Sequence, residues 1–340
     1  MKLLLAMNIS AGTGHDPALG REMARTLRQR LGAGHSVRLG FGRGHEEIRR
    51  RTCEFACTHQ SDSVIIAGGG GGTLRAVIEG VGDSTSNGKL PATNKMRIGA
   101  LRMGSGNVTA KQLGIARNPR EGVEDLAAQL LAKATAQCCV IGCDTAEHST
   151  TLYGATLGGF GLFGQVPKCL EEHHETRPRF HRASAKLLGI ERLTNVEYGL
   201  CLAGLSARAA VNPGRLDTVE VRQGDHTEQF PLLVGALMNF PLGALPFQPG
   251  VGVEDAKLSL HLVPFHGRLQ ALGLVACPQR NARTAKQFQI NRDTPLTLRV
   301  VNRDSMQFFL DEDPIEAREI TLRVAGQLTF VPGKNYKSNK

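Results

Sequence analysis

Residues 63–73 read Ser-Val-Ile-Ile-Ala-Gly-Gly-Gly-Gly-Gly-Thr, an apolar run that leads directly into five consecutive glycines. The run Ser63–Ala67 is typical of a buried β-strand, and the residues from Thr73 to Val81 have the pattern of a helix. Backbone N–H groups at such a strand-to-helix turn have no partners within the helix, so they are available to an anion. The stretch therefore predicts a phosphate-binding turn in an α/β fold.

Two further glycine-rich turns follow predicted strands in the same part of the chain. Asn8-Ile9-Ser10-Ala11-Gly12 comes after the strand Lys2–Met7, and Gly104-Ser105-Gly106-Asn107 comes after the strand Arg97–Leu101. One such turn could serve only to close a tight connection between a strand and a helix. Three of them at the carboxyl ends of parallel strands favour a single rim of backbone donors that binds a polyphosphate.

The pattern along the chain predicts two domains. Strands and helices alternate through residues 1–135, which is typical of a doubly wound α/β domain that binds its ligand beyond the carboxyl ends of the strands. Short strand patterns dominate residues 136–333 and predict a mostly β sandwich domain. Residues 334–340 are expected to form a disordered tail.

Several elements within these domains can be predicted from their residues. The polar stretch Asp83–Lys95 is expected to form a loop. Apolar runs predict strands at Thr150–Leu157 and Val196–Leu202, and helices are expected near Arg182–Leu188 and Arg268–Val275.

Charge and composition narrow the classes of partner. The formal net charge of +10 favours anionic partners, whereas 5% aromatic residues and no tryptophan supply no base-stacking surface, so nucleic acid is not expected. Eight cysteines without regular spacing indicate a cytoplasmic location, and no stretch is apolar enough to predict a transmembrane segment. A basic run such as Arg177–Arg182 is usually a solvated face, but with Phe180 inside it this run is also compatible with peripheral contact at an anionic membrane surface.

Two common nucleotide-binding patterns are absent from the sequence. A dinucleotide-binding turn requires Gly-x-Gly-x-x-Gly after the first strand, where this chain offers only Gly12 and Gly14. The P-loop pattern requires Gly-Lys-Ser/Thr at the end of the turn, and no lysine follows these glycines in that position. A nicotinamide cofactor and a P-loop fold are therefore not expected.

The order of the three turns resembles the diacylglycerol kinase catalytic-domain family, which includes sphingosine, ceramide and bacterial lipid kinases. The first turn is similar to that family's Asn-Pro-x-Ser/Ala-Gly, Gly69-Gly70-Gly71-Gly72-Thr73 to its Gly-Gly-Asp-Gly-Thr, and Gly104-Ser105-Gly106-Asn107 to its Gly-Thr/Ser-x-Asn. Farther along the chain, Gly158-Gly159-Phe160 resembles the family's Gly-x-Gly-Phe segment, and Asp311-Glu312-Asp313 its Asp-Gly-Glu.

The resemblance implies a kinase that transfers the γ-phosphoryl group of ATP, with Mg²⁺, to the hydroxyl group of a diacylglycerol-like or sphingoid lipid. By the same resemblance Asp311 is the catalytic base and Asp255 a candidate metal ligand. The residues expected to bind the nucleotide are Asn8, Ser10, Gly12, Gly69, Gly70, Gly71, Gly72, Thr73, Gly104, Ser105, Asn107 and Asp313. The lipid is expected to be met transiently at the membrane surface, and the chain is compatible with a homodimer.

One departure from the family pattern bears on catalysis. Gly71 stands where the second motif has Asp, and this removes a carboxylate expected to hold Mg²⁺ or its water near the phosphates. The alternative is therefore a catalytically impaired relative that binds nucleotide or lipid. The third turn and the Asp311 segment favour the lipid branch over a kinase of soluble substrates, such as an NAD kinase.

Overall fold

The computed structural model describes residues 1–10, 16–59, 62–85, 90, 93–104, 107–176, 194–240, 245–248, 250–252, 254–311 and 313–337. The N-terminal strands are β1 (Lys2–Asn8), β2 (Ser36–Gly42), β3 (Ser63–Gly69) and β4 (Thr93–Arg102). The helices that alternate with or follow these strands are α1 (Pro17–Leu31), α2 (Gly44–Thr58), α3 (Gly71–Asp83), α4 (Val108–Gln112) and α5 (Pro119–Leu131).

The N-terminal strands form a parallel sheet. Strand β1 pairs with β2 on one side and β3 on the other, and β3 pairs in turn with β4. All seven residues of β3 are buried, as expected for a parallel strand that is covered on both faces. Because the strands are parallel, the turns that follow β1, β3 and β4 leave the sheet at the same edge.

Helix α1 shows how local sequence fixes an element of this layer. The carboxylate of Asp16 accepts a hydrogen bond from the backbone N–H of Ala18 at 2.8 Å, and Pro17 occupies the first helical position. Met23 and Leu27 are buried four residues apart, so one face of the helix packs into the core of the N-terminal part.

The C-terminal part consists mostly of strands. The strands are β5 (Ala136–Thr145), β6 (Leu152–Gly154), β7 (Leu157–Gly161), β8 (Thr218–Gln223), β9 (His226–Met238), β10 (Leu258–Pro264), β11 (Lys286–Ile290), β12 (Leu296–Val300), β13 (Met306–Leu310), β14 (Asp313–Ala317) and β15 (Glu319–Phe330). The helices are α6 (Val166–Thr176), α7 (Thr194–Val211), α8 (Arg268–Ala276) and α9 (Pro278–Arg283). The predicted class, an α/β part followed by a mostly β part, is confirmed.

Strand β15 joins the two parts. It pairs in parallel with β4 and antiparallel with β12, so that one continuous hydrogen-bonded path runs from β14 to β2, and it also pairs antiparallel with β5, which lies off that path. The division at residue 135 stays a prediction, and β15 is the element that crosses it. Beyond β15 the chain remains packed, since Tyr336 lies against the N-terminal core and its Oη donates to Glu254 Oε1 at 3.3 Å. The chain thus stays attached to the fold past residue 334, where the tail is expected to begin.

The prediction of a strand at Val196–Leu202 is wrong, because these residues lie in helix α7. A short apolar run does not by itself distinguish a strand from a buried helix. The buried residues Cys201, Ser206 and Ala209 instead recur at helical spacing.

Two other predicted boundaries also differ from the structure. Strand β4 already begins at Thr93, inside the expected loop Asp83–Lys95. The expected strand Thr150–Leu157 is interrupted between β6 and β7 at Ala155 and Thr156, whose backbone N–H groups donate to a side chain instead of a neighbouring strand. The helix predicted near Arg182–Leu188 lies outside the described residues. Over the ranges that the structure does describe, no helix is long and apolar enough to cross a bilayer.

Candidate active site

The turns after β1 and β3 are joined by the side chain of Asn8. Its amide Nδ2 donates a hydrogen bond to the hydroxyl Oγ1 of Thr73 at 3.1 Å. Its Oδ1 accepts from the backbone N–H groups of Ser10 at 3.0 Å and Gly44 at 3.2 Å. Asn8 thus ties the first turn to the first turn of helix α3, and its hydrogen-bonding groups are used in holding this geometry.

The turns after β3 and β4 touch each other through their backbones. A Cβ atom placed on Gly104 would lie 2.2 Å from the Cα of Gly70, far inside van der Waals contact. A Cβ on Gly69 would lie 2.1 Å from Thr73 Oγ1. Glycine is therefore required at Gly104, where a side chain would push the two turns apart, and at Gly69, where a side chain would displace the Thr73 side chain.

The third turn is closed by Asn107. Its Oδ1 accepts from the backbone N–H of Gly104 at 2.8 Å, and its own φ of 50° lies in the left-handed region that asparagine tolerates better than most residues. The three predicted turns therefore meet at one edge of the sheet, as their order after β1, β3 and β4 indicates.

The space enclosed by this rim is small. Its walls include Gly70, Gly71, Asn107 and Thr156, and its volume is about 20 Å³. That volume holds a water molecule but no phosphate chain. A polyphosphate would therefore lie along the open side of the rim.

The position of the missing motif Asp has room for a side chain. The nearest atom to a Cβ placed on Gly71 is the carbonyl oxygen of Asp311 at 3.5 Å, which is an ordinary contact distance. Next to it, a Cβ on Gly72 would lie 3.9 Å from both carboxylate oxygens of Asp313. A carboxylate from strand β14 thus lies beside the start of α3, close to where the resemblance expects one from residue 71.

Asp313 is held by a buried ion-pair network on α3. Its Oδ2 accepts from Arg75 Nη1 at 2.8 Å, and Arg75 Nε donates to Glu79 Oε1 at 2.9 Å. The second oxygen of Glu79 lies 2.6 Å from His45 Nε2. Burial raises the pKa of the Glu79 carboxyl, but hydrogen bonds and charge from His45 and Arg75 outweigh it and hold the pKa below its ordinary value. Sequence analysis missed these residues, although the spacing of Arg75 and Glu79 on one helix is typical of an ion pair.

Asp311 lies at the junction of β13 and β14 with its side chain directed inward. The residue is 4% exposed, and its carboxylate accepts from the backbone N–H groups of Ala155 at 2.6 Å, Thr156 at 2.9 Å and Leu157 at 3.2 Å. Burial raises the pKa of Asp311 to about 6, although these N–H groups and Arg75 act in the opposite direction. Thr156, which contacts this carboxylate, also lines the rim cavity.

Residues 2–139 match the family model described as the diacylglycerol kinase catalytic domain. This part of the chain is similar to that family. The resemblance found in the sequence is thereby confirmed, and the three glycine-rich turns all lie within the matched residues.

Solved structures are similar in fold to nearly the whole chain, including the residues that follow the family match. A diacylglycerol kinase from Bacillus anthracis strain Sterne is 12% identical to this chain, with a TM-score of 0.60 over 98% of this chain and 97% of that chain. A second structure from the same organism, for which this activity is inferred, is 13% identical, with a TM-score of 0.63 over 98% of this chain and 95% of that chain. No curated protein is significantly similar to the chain in sequence. At these identities the structures establish a shared fold.

Not every residue expected from the kinase-family pattern can be assigned to the site. Asp255 lies in an exposed loop, where its Oδ2 accepts from the backbone N–H of Gly252 at 2.7 Å. Within the described ranges no three His, Cys, Asp or Glu side chains come together as a metal site, so Asp255 is not accompanied by further ligands there. Gly12 and Ser105 lie outside the described residues.

Proposed function

We propose that this protein is a lipid kinase that transfers the γ-phosphoryl group of ATP to the hydroxyl group of a diacylglycerol-like or sphingoid lipid. The observation that carries the proposal is the meeting of the three motif turns, through the Gly70–Gly104 contact and the Asn8–Thr73 hydrogen bond. Phosphoryl transfer requires mainly positioning and charge stabilisation, which a rim of fixed backbone donors can supply. The match of residues 2–139 to the family model supports the same reaction class.

The start of helix α3 is the proposed site for the phosphate groups. The backbone N–H groups of the first helical residues, Gly71 to Thr73, precede the first intrahelical hydrogen bond, which Leu74 donates to Gly70. These N–H groups and the positive end of the helix dipole would bind phosphate oxygens. The absence of a side chain at Gly71 and Gly72 leaves that end open to a ligand.

Asp313 is the residue that would hold Mg²⁺ with the nucleotide. Its side chain is 46% exposed and lies beside the start of α3, while Arg75 fixes one of its oxygens. Protein-bound Mg²⁺ commonly uses one or two carboxylates together with phosphate oxygens and water, so a single carboxylate at this position fits. When bound, the ion would neutralise charge on the phosphates.

Asp311 is the proposed base for the lipid hydroxyl. A carboxyl group with a pKa of about 6 suits the acceptance of a proton near neutral pH. Its burial and its three backbone partners also support a second role, in which it fixes the turn between β6 and β7. The pH dependence of the reaction distinguishes the two roles.

A second candidate function is binding of nucleotide or lipid without catalysis. It is favoured by Gly71, which removes the motif carboxylate, and by the deep burial of Asp311. Either departure would lower phosphoryl transfer without preventing nucleotide from contacting the rim.

The two functions are separated by assaying the purified protein with radiolabelled ATP, Mg²⁺ and a panel of diacylglycerols and long-chain bases. Two variants at the open position accompany it: Gly71→Asp restores the carboxylate, and Gly71→Ala adds only the Cβ that the structure accommodates. Transfer to a lipid by the wild type supports the kinase. ATP binding without transfer, with activity gained in Gly71→Asp but not in Gly71→Ala, supports the impaired relative. Absence of both binding and transfer would contradict both functions.

A further inference from the structure

Helix α8 is apolar on its solvent-facing side. Leu269 is 85% exposed and Leu272 is 55% exposed, and Val275 is exposed one turn farther on. On the opposite side Ala271 and Leu274 are buried in the core. A helix at a protein–water boundary normally carries polar residues on its outer face. The outer face of α8 therefore has the composition of a surface that is covered when the protein functions.

The neighbouring helix α7 also exposes apolar side chains. It packs along α8, and the large side chains that it exposes are Leu200 and Val211. Exposed apolar residues that occur singly are normal on a soluble protein, whereas several on adjacent helices indicate an interaction surface.

The sequence around α8 and α9 carries only positive charge. No Asp or Glu occurs between Asp255 and Asp293. The same interval contains Lys257, Arg268, Arg280, Arg283, Lys286 and Arg292. Among the described residues, Arg268, Arg280 and Arg283 have no carboxylate partner, and all three are exposed. The occupant that complements this surface must therefore combine apolar and anionic groups.

A cavity between α8 and α9 adds a polar pocket to the surface. It has a volume of about 280 Å³ and is lined in part by Leu269, Arg280 and Asn281. Asn281 is 5% exposed as a whole residue and lines the cavity. The guanidinium of Arg280 and the side-chain amide of Asn281 are both hydrogen-bond donors to a ligand oxygen.

We propose that this face, formed by the outer sides of α7, α8 and α9, docks on a membrane that contains anionic phospholipids. Leu269, Leu272 and Val275 insert at the boundary between headgroups and acyl chains, and the arginines bind lipid phosphates. The cavity receives one headgroup phosphate, which contacts Arg280 and the amide of Asn281. The surface lies apart from the basic run Arg177–Arg182 in sequence and consists only of described residues.

The docking face is connected to the glycine rim through a shared apolar cluster. Ala271 and Leu274 on the buried side of α8 belong to a cluster that also contacts Val108, which follows the third turn. Membrane docking itself does not depend on nucleotide binding or on catalysis.

Vesicle sedimentation in the absence of ATP tests the proposal. The full chain is mixed with phosphatidylcholine vesicles with or without phosphatidylglycerol, and the bound fraction is measured at low and high salt. We expect binding only to the anionic vesicles, weakened by salt. The Leu269→Asp/Leu272→Asp variant is expected to lose at least about tenfold in apparent affinity because two inserted side chains become charged. Removing the charge of Arg280 or of Arg283 is expected to lower the apparent affinity for the anionic vesicles about fivefold in each case.

Matched controls on the N-terminal part keep the test specific. Leu131→Asp changes another exposed leucine, and Arg38→Gln removes another exposed arginine; both are expected to bind vesicles like the wild type. Thermal unfolding checks that all variants fold. Equal binding by Leu269→Asp/Leu272→Asp and the wild type would overturn the proposal, as would no binding to anionic vesicles. The oligomeric state is also measured without vesicles. If the wild type were a dimer and the Leu269→Asp/Leu272→Asp variant a monomer, a second copy of the chain would cover the face instead. If the wild type bound anionic vesicles but phosphorylated no lipid, the result would contradict the proposed kinase activity and leave the docking proposal intact.

Discussion

The guanidinium of Arg75 and the carboxylate of Asp313 are 2.8 Å apart and join residues separated by 238 positions in the chain. Arg75 lies on α3, directly after the glycine-rich turn, and Asp313 begins β14 in the C-terminal part. The pair therefore fixes a carboxylate from one part of the molecule beside the phosphate-binding helix of the other. The position of the Arg75 guanidinium also depends on Glu79, whose carboxylate accepts a hydrogen bond from Arg75 Nε.

Replacing Arg75 by Met is expected to lower the free energy of unfolding by about 3 kcal/mol. The change leaves the buried carboxylate of Glu79 with His45 and the more distant Arg49 as its remaining partners. Urea unfolding measures the effect. The Arg75→Met/Glu79→Leu double variant is expected to recover most of the loss, because the buried charge is removed as well.

Arg50→Met provides the control for that experiment. Arg50 forms an exposed pair with Glu54 at the i,i+4 spacing, and such pairs contribute little. If Arg75→Met and Arg50→Met proved equally stable, the buried network would not support the fold as described.

The sequence predicts those features that depend on neighbouring residues in the chain. The run Ser63–Ala67 with the following glycines correctly predicts β3, the start of α3 and the edge of the sheet at which the turns meet. Helix α1 is likewise a product of local sequence, since Asp16 caps it, Pro17 occupies its first position and its buried residues recur at helical spacing. These signals are local, because capping and periodicity involve residues within a few positions of one another.

Features that depend on distant residues could not be predicted in this way. The sequence shows Gly71 as a lost carboxylate, but only the packing of β14 against α3 places Asp313 beside Gly72. In the same way, the break at Ala155 depends on the carboxylate of Asp311 from the far end of the chain. The apolar run Val196–Leu202 wrongly predicts a strand, because a buried helix face and a buried strand favour the same apolar residue types.

Gly104→Ala is expected to abolish nucleotide binding. Its Cβ would lie 2.2 Å from the Cα of Gly70, and since neither atom can move without its backbone, the turns must separate. Such overpacking is also expected to reduce stability by about 1–3 kcal/mol. Titration calorimetry with ATP and Mg²⁺ measures the binding. Gly34→Ala serves as the control, because nothing lies within 4 Å of a Cβ at that position, and it should bind ATP like the wild type. Equal affinities of Gly104→Ala and Gly34→Ala would contradict the contact between the turns.

Asn8 is expected to tolerate Asp far better than Leu. Asn8→Asp keeps an oxygen for the N–H groups of Ser10 and Gly44, and the Thr73 hydroxyl can reverse its role and donate to the second oxygen. Asn8→Leu removes three hydrogen bonds, so the free energy of unfolding should fall by about 3 kcal/mol, against about 1 kcal/mol or less for Asp. Chemical denaturation of both variants measures the difference. If Leu were as well tolerated as Asp, the side chain of Asn8 would not hold the two turns together.

The buried carboxyl of Asp311 is expected to make stability and activity depend on pH in opposite directions. Because its pKa rises from an ordinary 3.8 to about 6 on folding, the folded protein binds the proton more tightly than the unfolded chain does. This group therefore stabilises the fold at low pH, and its contribution is lost as the pH rises from about 4 to about 6, by up to about 3 kcal/mol. The difference in unfolding free energy between the wild type and Asp311→Asn, measured by urea denaturation across this range, isolates the contribution.

If Asp311 is also the base, the same titration must appear in catalysis. The ionised carboxylate is the form that accepts a proton, so kcat/KM for lipid phosphorylation is expected to rise with pH and level off above about 6. In Asp311→Asn this rise should disappear together with most of the activity. A variant that loses stability but retains both the activity and its pH profile would assign Asp311 to holding the turn between β6 and β7, and the proton acceptor would then be another group at the rim.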